Sequence, residues 1–261
     1  MRVISQVNLN FVNSCNNMPG LSLPEQNRRT AALNRRNRTF MEAHKVTHAL
    51  EDYLKAIYQL SEESRPVIAA RVAAETGVSP STIFATLRRL AKEGYVTINR
   101  RKEIHLTGDG KKVAENIVRR HFLTERFLTD LLGLDWVKAH QEAHRLEHAI
   151  SQEVEERLAK LLSNPTTCPH GNPIPGASKS PGPKTMPLSD ATDGQKVELD
   201  FITEGGERDV RLLGYLQDHG LRPGAKVHIL DVAPSLGMMT LKVGDDEFSL
   251  GIEAAKKIRV H

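Results

Sequence analysis

The segment His140-Gln-Glu-Ala-His144-Arg-Leu-Glu147-His148 constrains this chain more than any other. Wound as a helix at ~100° per residue, its three histidines and Glu147 fall within one arc of roughly 100°. Imidazole and carboxylate on one helical face form a donor set that suits a divalent transition metal. Ala143, Leu146 and Ile150 lie beside that arc and can face a core. The alternative is a solvated polar face that happens to be rich in histidine. A second pair upstream, His121 and Glu125 at i, i+4, weighs against it.

A length of 261 residues allows two or three domains with an ordinary core. No apolar run approaches ~20 residues, so no membrane span is expected. The first residues lack an apolar signal-peptide core, which argues for the cytoplasm. Cys15 and Cys168 make no disulfide framework; a reducing compartment fits, and Cys168 is then free to bind metal. The net charge of +4 is uneven. Residues 1–45 carry seven basic side chains against two acidic, residues 46–112 eleven against eight, and the remainder is acidic. That distribution suits a nucleic-acid module joined to a cation-binding part.

Residues 1–45 are rich in Asn, Arg, Pro and Ser and show little periodicity. They read as a disordered basic extension, either an arm on DNA or a stretch upstream of a true start at Met41. From Thr47 the pattern is helical, with Leu50, Tyr53, Leu54, Ile57, Tyr58 and Leu60 as an apolar stripe. A second helix is predicted from Pro66–Val67 to Thr76, with Ile68, Val72 and Ala73 inward. Ser79 is placed as an N-cap and Pro80 at the first position of a third helix, which runs to about Glu93. Two short strands, Tyr95–Asn99 and Glu103–Thr107, flank the basic tip Arg100-Arg101-Lys102. Helix, turn, helix and a basic-tipped hairpin make a winged helix-turn-helix over residues 46–112.

A long helix from about Gly108 to Leu132 is apolar on more than one face, which places it centrally or at a dimer interface. Residues 135–149 and 151–162 read as two more helices and complete a helical metal-binding and dimerisation domain over 113–163. Residues 164–188 hold seven of the thirteen prolines and read as a linker, with one ordered piece, Cys168-Pro-His170-Gly-Asn-Pro-Ile-Pro. Short alternating strands over 189–261 point to a small SH3-like β-barrel. The predicted fold is mainly α with a small β domain.

Within the third helix, Ser79, Ser81, Thr82, Ala85 and Thr86 occupy the N-terminal polar side, where such modules meet base edges. Arg88, Arg89, Arg100, Arg101 and Lys102 are candidates for phosphate contacts, which give affinity rather than sequence choice. A winged helix used for protein contact is the alternative; the basic wing favours DNA.

If the His140–His148 helix packs beside the first helix, Asp52, His144, Glu147 and His148 can form one nitrogen/oxygen site. Asp52 can equally be a charge near a helix N-terminus. Without a thiolate, such a set favours manganese or ferrous iron while not excluding zinc or cobalt. A second site can draw on His121, Glu125 and His140, with the Cys168-x-His170 pair swinging onto it. His144-Arg-Leu-Glu147-His148 also matches H-x-x-E-H, in which both histidines bind zinc and the glutamate is a protease's base. The match is short, and the preceding winged helix argues against a zinc metalloprotease and against an enzyme in general. Asp52→Ala and Glu147→Ala are both expected to remove a ligand while leaving the fold intact.

The chain resembles the iron- and manganese-dependent repressors of the diphtheria-toxin-repressor family from about Thr47 onward. Glu51-Asp52-Tyr53-Leu54, Arg119-Arg120-His121-Phe-Leu-Thr-Glu125, the His140–His148 segment and Cys168-Pro-His170-Gly-Asn-Pro carry that resemblance. It implies a metal-activated homodimeric repressor on palindromic operator DNA, controlling metal uptake. It also implies an activating site of Asp52, His144, Glu147 and His148, and an ancillary site of His121, Glu125 and His140. Iron sensors of the family add barrel ligands to the ancillary site, for which Asp209 is the nearest candidate; some manganese sensors use the Cys-x-His pair. Manganese sensors carry Asp at the Asp52 position and iron sensors Met, so Mn(II) is expected ahead of Fe(II). His144 matches neither the usual Cys of iron sensors nor the Glu of manganese sensors. Ala85 stands where one iron sensor has Gln, so no operator sequence carries over.

Overall fold

The computed structural model describes residues 47–62, 66–177 and 184–261. The expected N-terminal extension lies outside the described residues.

Helix α1 (His48–Ser61) buries Leu50, Tyr53, Leu54, Ile57 and Leu60, the 3.6-residue stripe read from the sequence. Lys55 on the same helix is also buried. Helix α2 (Ala69–Thr76) starts later than predicted. Ile68 is extended there, bridges to Glu103 and is exposed rather than inward, because the chain enters α2 as an edge of the wing. Gly77 ends α2 with φ of 68°, a left-handed conformation that suits glycine. Helix α3 (Pro80–Lys92) is capped by the Ser79 hydroxyl, which accepts from the Thr82 amide at 3.3 Å, and it buries Ile83, Leu87 and Leu90. Strands β1 (Val96–Ile98) and β2 (Ile104–Leu106) pair antiparallel, Val96 opposite Leu106. At the wing tip Asn99 Oδ1 accepts from the Arg101 and Glu103 amides at 2.9 Å each, and Lys102 takes φ of 62°.

Helix α4 (Gly108–Arg126) runs on through a π-type turn, Phe127–Leu131, and packs against α1 and α5 (Trp136–Leu146). Its buried face carries Ile117, Val118, Phe122 and Leu123, together with His121 and Glu125. The fifth helix stops at Leu146, short of the predicted residue 149; Glu147 caps it and His148 lies in the following turn. Ser151, whose hydroxyl accepts from the Val154 amide, starts α6 (Gln152–Leu161), so the chain is recruited into a new helix soon afterwards.

Within the predicted linker, the piece Cys168–Pro175 is ordered, as expected. The Cys168 amide bonds the Asn172 carbonyl at 2.8 Å, the Ile202 amide bonds the His170 carbonyl at 2.9 Å, and Cys168, His170 and Ile174 are buried. Gly171 adopts φ of 94°, and a Cβ there would collide with the Asp200 carbonyl, so the turn lies flat on the strand Lys196–Ile202. Strand β3 (Met186–Pro187), also inside the predicted linker, pairs with β8 (Ile258–Val260). With β4 (Lys196–Ile202), β5 (Lys226–Ala233), β6 (Met238–Val243) and β7 (Asp246–Gly251) they form one antiparallel sheet, ordered β3-β8-β4-β5-β6-β7. Helices α7 (Glu204–Glu207), α8 (Val210–Asp218) and α9 (Ile252–Ala255) complete this part. Trp136 of α5 packs into the core of this sheet, and its amide donates to Gln217 Oε1 at 2.6 Å.

Candidate metal centre

Five elements converge: α1, α4, α5 with its following turn, the Cys168–His170 segment and α7. His148 Nε2 lies 3.0 Å from Asp52 Oδ1, and its Nδ1 lies 2.7 Å from Glu51 Oε2. Glu147 Oε1 is 3.5 Å from His148 Nε2 and 3.6 Å from His144 Nδ1. The other oxygen, Oε2, takes Lys55 Nζ at 2.8 Å and His121 Nδ1 at 2.5 Å. Donor atoms of Asp52, Glu147 and His148 lie within 4.8 Å of one another; those of His144 group instead with His121 and His140.

On the far side of His121 a second cluster begins. Glu125 Oε1 is 3.0 Å from His121 Nε2 and 2.8 Å from His140 Nδ1. Glu207 Oε1 lies 3.2 Å from His170 Nδ1 and 3.8 Å from Cys168 Sγ. Asn172 Nδ2 donates to that same oxygen at 2.5 Å. Asp209 is not part of this cluster. Its carboxylate caps α8, accepting from the Leu212 amide at 3.2 Å, and pairs with Lys257 on the surface. The side chain from this region that reaches the cluster is Glu207, which precedes it on α7. The spacing Glu204-Gly-Gly-Glu207 was the available signal; Lys55 gave none, since a lysine three residues after an aspartate is ordinary on a helix surface.

The charges follow from this packing. Hydrogen bonds that His148 donates to Asp52 and then to Glu51 outweigh burial and raise its pKa to about 9. Burial and Lys55 disfavour the charged form of His121, but Glu125 and Glu147 overcome both and raise its pKa to about 9. His144, where burial dominates, falls to about 4. Burial would raise Glu147, yet His121, His144 and Lys55 hold it well below the usual carboxylate range. Burial, then Glu207, pushes Cys168 up to about 12 and Glu204 up to about 8.

Five side-chain atoms here are buried without a hydrogen-bond partner, Glu125 Oε2, Glu147 Oε1, His170 Nε2, Glu204 Oε1 and Glu207 Oε2, and His121 Nε2 has only its ion-pair contact with Glu125. Each such atom costs about 1–3 kcal/mol, so their concentration in one place calls for a ligand. All are nitrogen or carboxylate oxygen, which fits a divalent cation. The residues present therefore fit a metal in both clusters. Of the two histidines in the H-x-x-E-H match, His148 groups with Asp52 and Glu147, while His144 groups with His121 and His140 and also stands 3.6 Å from Glu147 Oε1.

The candidate DNA surface is formed by α3 and the wing. Ser81, Thr82, Ala85, Arg88, Arg100, Arg101 and Lys102 are exposed, and Thr86 is half-buried. Ser79 is exposed but engaged with Ser81, Thr82 and the helix cap; Arg89 pairs with Glu93 at 2.8 Å. Sequence reasoning passed over Phe84, which is 55 % exposed on the same helix.

Most of the described chain matches known proteins. Residues 45–104 match the iron dependent repressor, N-terminal DNA binding domain; residues 107–176 match the iron dependent repressor, metal binding and dimerisation domain; residues 186–261 match the FeoA domain. The chain belongs to the iron-dependent repressor family. It is 34% identical over 220 residues to the iron-dependent repressor IdeR of Mycobacterium leprae, covering 80% of this chain and 95% of that protein. The diphtheria toxin repressor of Corynebacterium diphtheriae is 35% identical over 218 residues, with the same coverage. Among solved structures, a manganese-dependent transcriptional repressor in complex with manganese superposes with a TM-score of 0.73 at 33% identity, over 81% of this chain and 98% of that one. As a member of this family the chain is a metal-dependent, DNA-binding repressor with a dimerisation domain and an SH3-like C-terminal domain. Among the described residues no helix is long and apolar enough to cross a membrane.

Proposed function

We propose that this repressor responds to manganese, binds palindromic operator DNA as a homodimer and controls metal-uptake genes. The observation that carries the reading is the position of Asp52, on the first helix of the reading unit, against Glu147 and His148 beyond α5. A bound divalent ion supplies these residues with a common positive partner. Asp52 then ties α1 to the dimerisation helices, which sets two α3 helices about one DNA turn, ~34 Å, apart. Leu131, Leu132, Leu146, Val154 and Leu161 are exposed on the helical part and are the apolar surface we assign to the dimer. Residues 46–112 read DNA on this view, 113–163 dimerise and bind metal, and the barrel extends back to Met186.

Asp52, Glu147, His148 and His144 hold the activating site; His121, Glu125, His140, Cys168, His170 and Glu207 hold the ancillary one. Hard oxygen and imidazole donors without thiolate at the activating site favour Mn(II) over a softer ion. Fe(II) is the second reading, favoured by the Cys168 thiol of the ancillary cluster and by the iron-dependent relatives. Transcript profiling of a deletion strain under separate manganese and iron supplementation decides between them. A regulon that answers to iron and ignores manganese overturns the manganese assignment. DNA binding that is equal with Mn(II) and with EDTA overturns the switch itself.

A further inference from the structure

Lys55 sits where a cation sensor would be expected to keep positive charge away. It lies on α1, one turn after Asp52, and is only 4 % exposed. Its ammonium donates to Glu147 Oε2 at 2.8 Å. His121 Nδ1 holds the same oxygen at 2.5 Å, so Oε2 is saturated. Oε1 has no hydrogen-bond partner and faces His148 and His144. Next to Lys55 stands a further donor set, the imidazoles of His121, His140 and His144, whose ligand atoms lie within 4.8 Å of one another. An ion added there would draw these rings from the two neighbouring sites and would share Glu147 through Oε2, the oxygen that His121 Nδ1 already holds. Two ions that share one carboxylate sit roughly 3.5–4 Å apart, and with one ion on Oε1 the second is best served by Oε2. The ammonium already occupies that oxygen.

We propose that Lys55 is a built-in cation that limits the compartment between α1 and α5 to a single divalent ion and makes Glu147 a one-oxygen ligand through Oε1. This rests on the metal-centre reading above. Lys55 is a positioning and specificity residue; it touches the ligand Glu147 and leaves the metal itself to Asp52, Glu147, His144 and His148. Its fixed charge adds to the repulsion that a second ion would meet, and its hydrogen bond removes the oxygen that ion would use.

The test counts ions on the full-length protein. Wild type, Lys55→Glu, Lys55→Gln and Asp52→Ala are dialysed to equilibrium against Mn(II), bound manganese is counted per protomer, and low-temperature EPR separates isolated from exchange-coupled ions. Circular dichroism checks each fold. Lys55→Glu is expected to hold one more Mn(II) per protomer than wild type, with the spectrum of a coupled pair. Lys55→Gln is expected to gain the same ion at higher Mn(II) concentration. If Lys55→Glu does not fold, the neutral variant decides alone. Folded Lys55 variants that bind the wild-type number of ions, with isolated-ion spectra, overturn the proposal. Asp52→Ala is expected to bind one ion fewer than wild type. If it binds as many, the metal-centre reading falls and takes the role of Lys55 with it; if it loses one while the Lys55 variants gain none, only the role of Lys55 falls.

Discussion

Replacing Glu147 with alanine does more than delete a ligand. The Glu147 side chain is wholly inaccessible, and the Lys55 side chain against it is 6% accessible. Alanine leaves the ammonium buried without its carboxylate and strands His121 Nδ1 as well. Breaking a buried pair from one side costs about 3–5 kcal/mol. In a unit of this size each kcal/mol lowers Tm by roughly 2–4 °C, so the metal-free variant should melt roughly 6–20 °C below wild type. Asp52 is the contrast. Its side chain is 54% accessible and pairs with His148 at 3.0 Å. An exposed pair of that kind is worth about 0–1 kcal/mol, or no more than about 4 °C. Both alanine variants are expected to fold, but Glu147→Ala less stably, because it alone strands a buried charge. Thermal unfolding in EDTA reads the difference directly. Combining Glu147→Gln with Lys55→Met removes the stranded charge and should recover most of the loss. If Glu147→Ala melts within about 2 °C of Asp52→Ala, the buried pair does not hold the apo fold together and the reasoning fails.

Asp52→Ala should abolish metal-dependent DNA binding in a gel shift while the dimer stays folded; full repression at low micromolar metal would show that Asp52 is not a ligand. Arg101→Ala should weaken binding across all DNA sequences and flatten the slope of log K against log salt by about 0.9 for each phosphate no longer neutralised; an unchanged slope removes the wing from the DNA. Mn(II) affinity should rise from about pH 6 to about pH 8, because His148, whose pKa is raised to about 9, has to release a proton before it can act as a ligand. The same raised pKa stabilises the metal-free fold fully below pH 6.5, and that contribution is lost as pH rises through about 9. Asp52→Asn should flatten both dependences; Mn(II) titrations and EDTA melts that keep the wild-type pH profile would contradict this origin.

The winged helix-turn-helix was legible because its signals are local. Ser79 and Pro80 start α3, Gly77 ends α2, and the stripe Ile83, Leu87 and Leu90 repeats at helical spacing. Donor types at the metal centre were legible for the same reason. Their partners were not, since those depend on which faces meet. Nothing near Lys55 in sequence indicates that the polar side of α1 is covered by the turn after α5. The end of α5 was set too late because Glu147 keeps helical backbone angles as a cap. Asp209 is the nearest barrel candidate for the extra ligand the resemblance implies, yet an aspartate directly before Val210–Asp218 fits an N-cap, and the carboxylate serves there. The ordered piece within the proline-rich stretch was legible too, since Pro169, Pro173 and Pro175 stiffen a turn; that this turn lays His170 against β4 was not, because β4 is distant in sequence.

His121 is the side chain placed between both clusters, and this makes them interdependent. Its Nδ1 faces Glu147 and its Nε2 faces Glu125, so as an imidazolium it can serve one carboxylate with each N–H. If Nε2 acts as a ligand on the ancillary side, its proton must leave, and the remaining N–H is fixed on Nδ1. That N–H holds Glu147 Oε2 and keeps Oε1 turned toward His144 and His148. Binding on the ancillary side should therefore strengthen binding at the activating side. Glu207→Gln offers the test, because Glu207 touches His140, His170, Cys168 and Asn172, all of them away from Glu147. In calorimetric Mn(II) titrations it should weaken the ancillary step and also the activating step, the latter by about fivefold or more if the coupling is of ordinary size. An activating step unchanged in Glu207→Gln would mean that His121 separates the two centres rather than linking them.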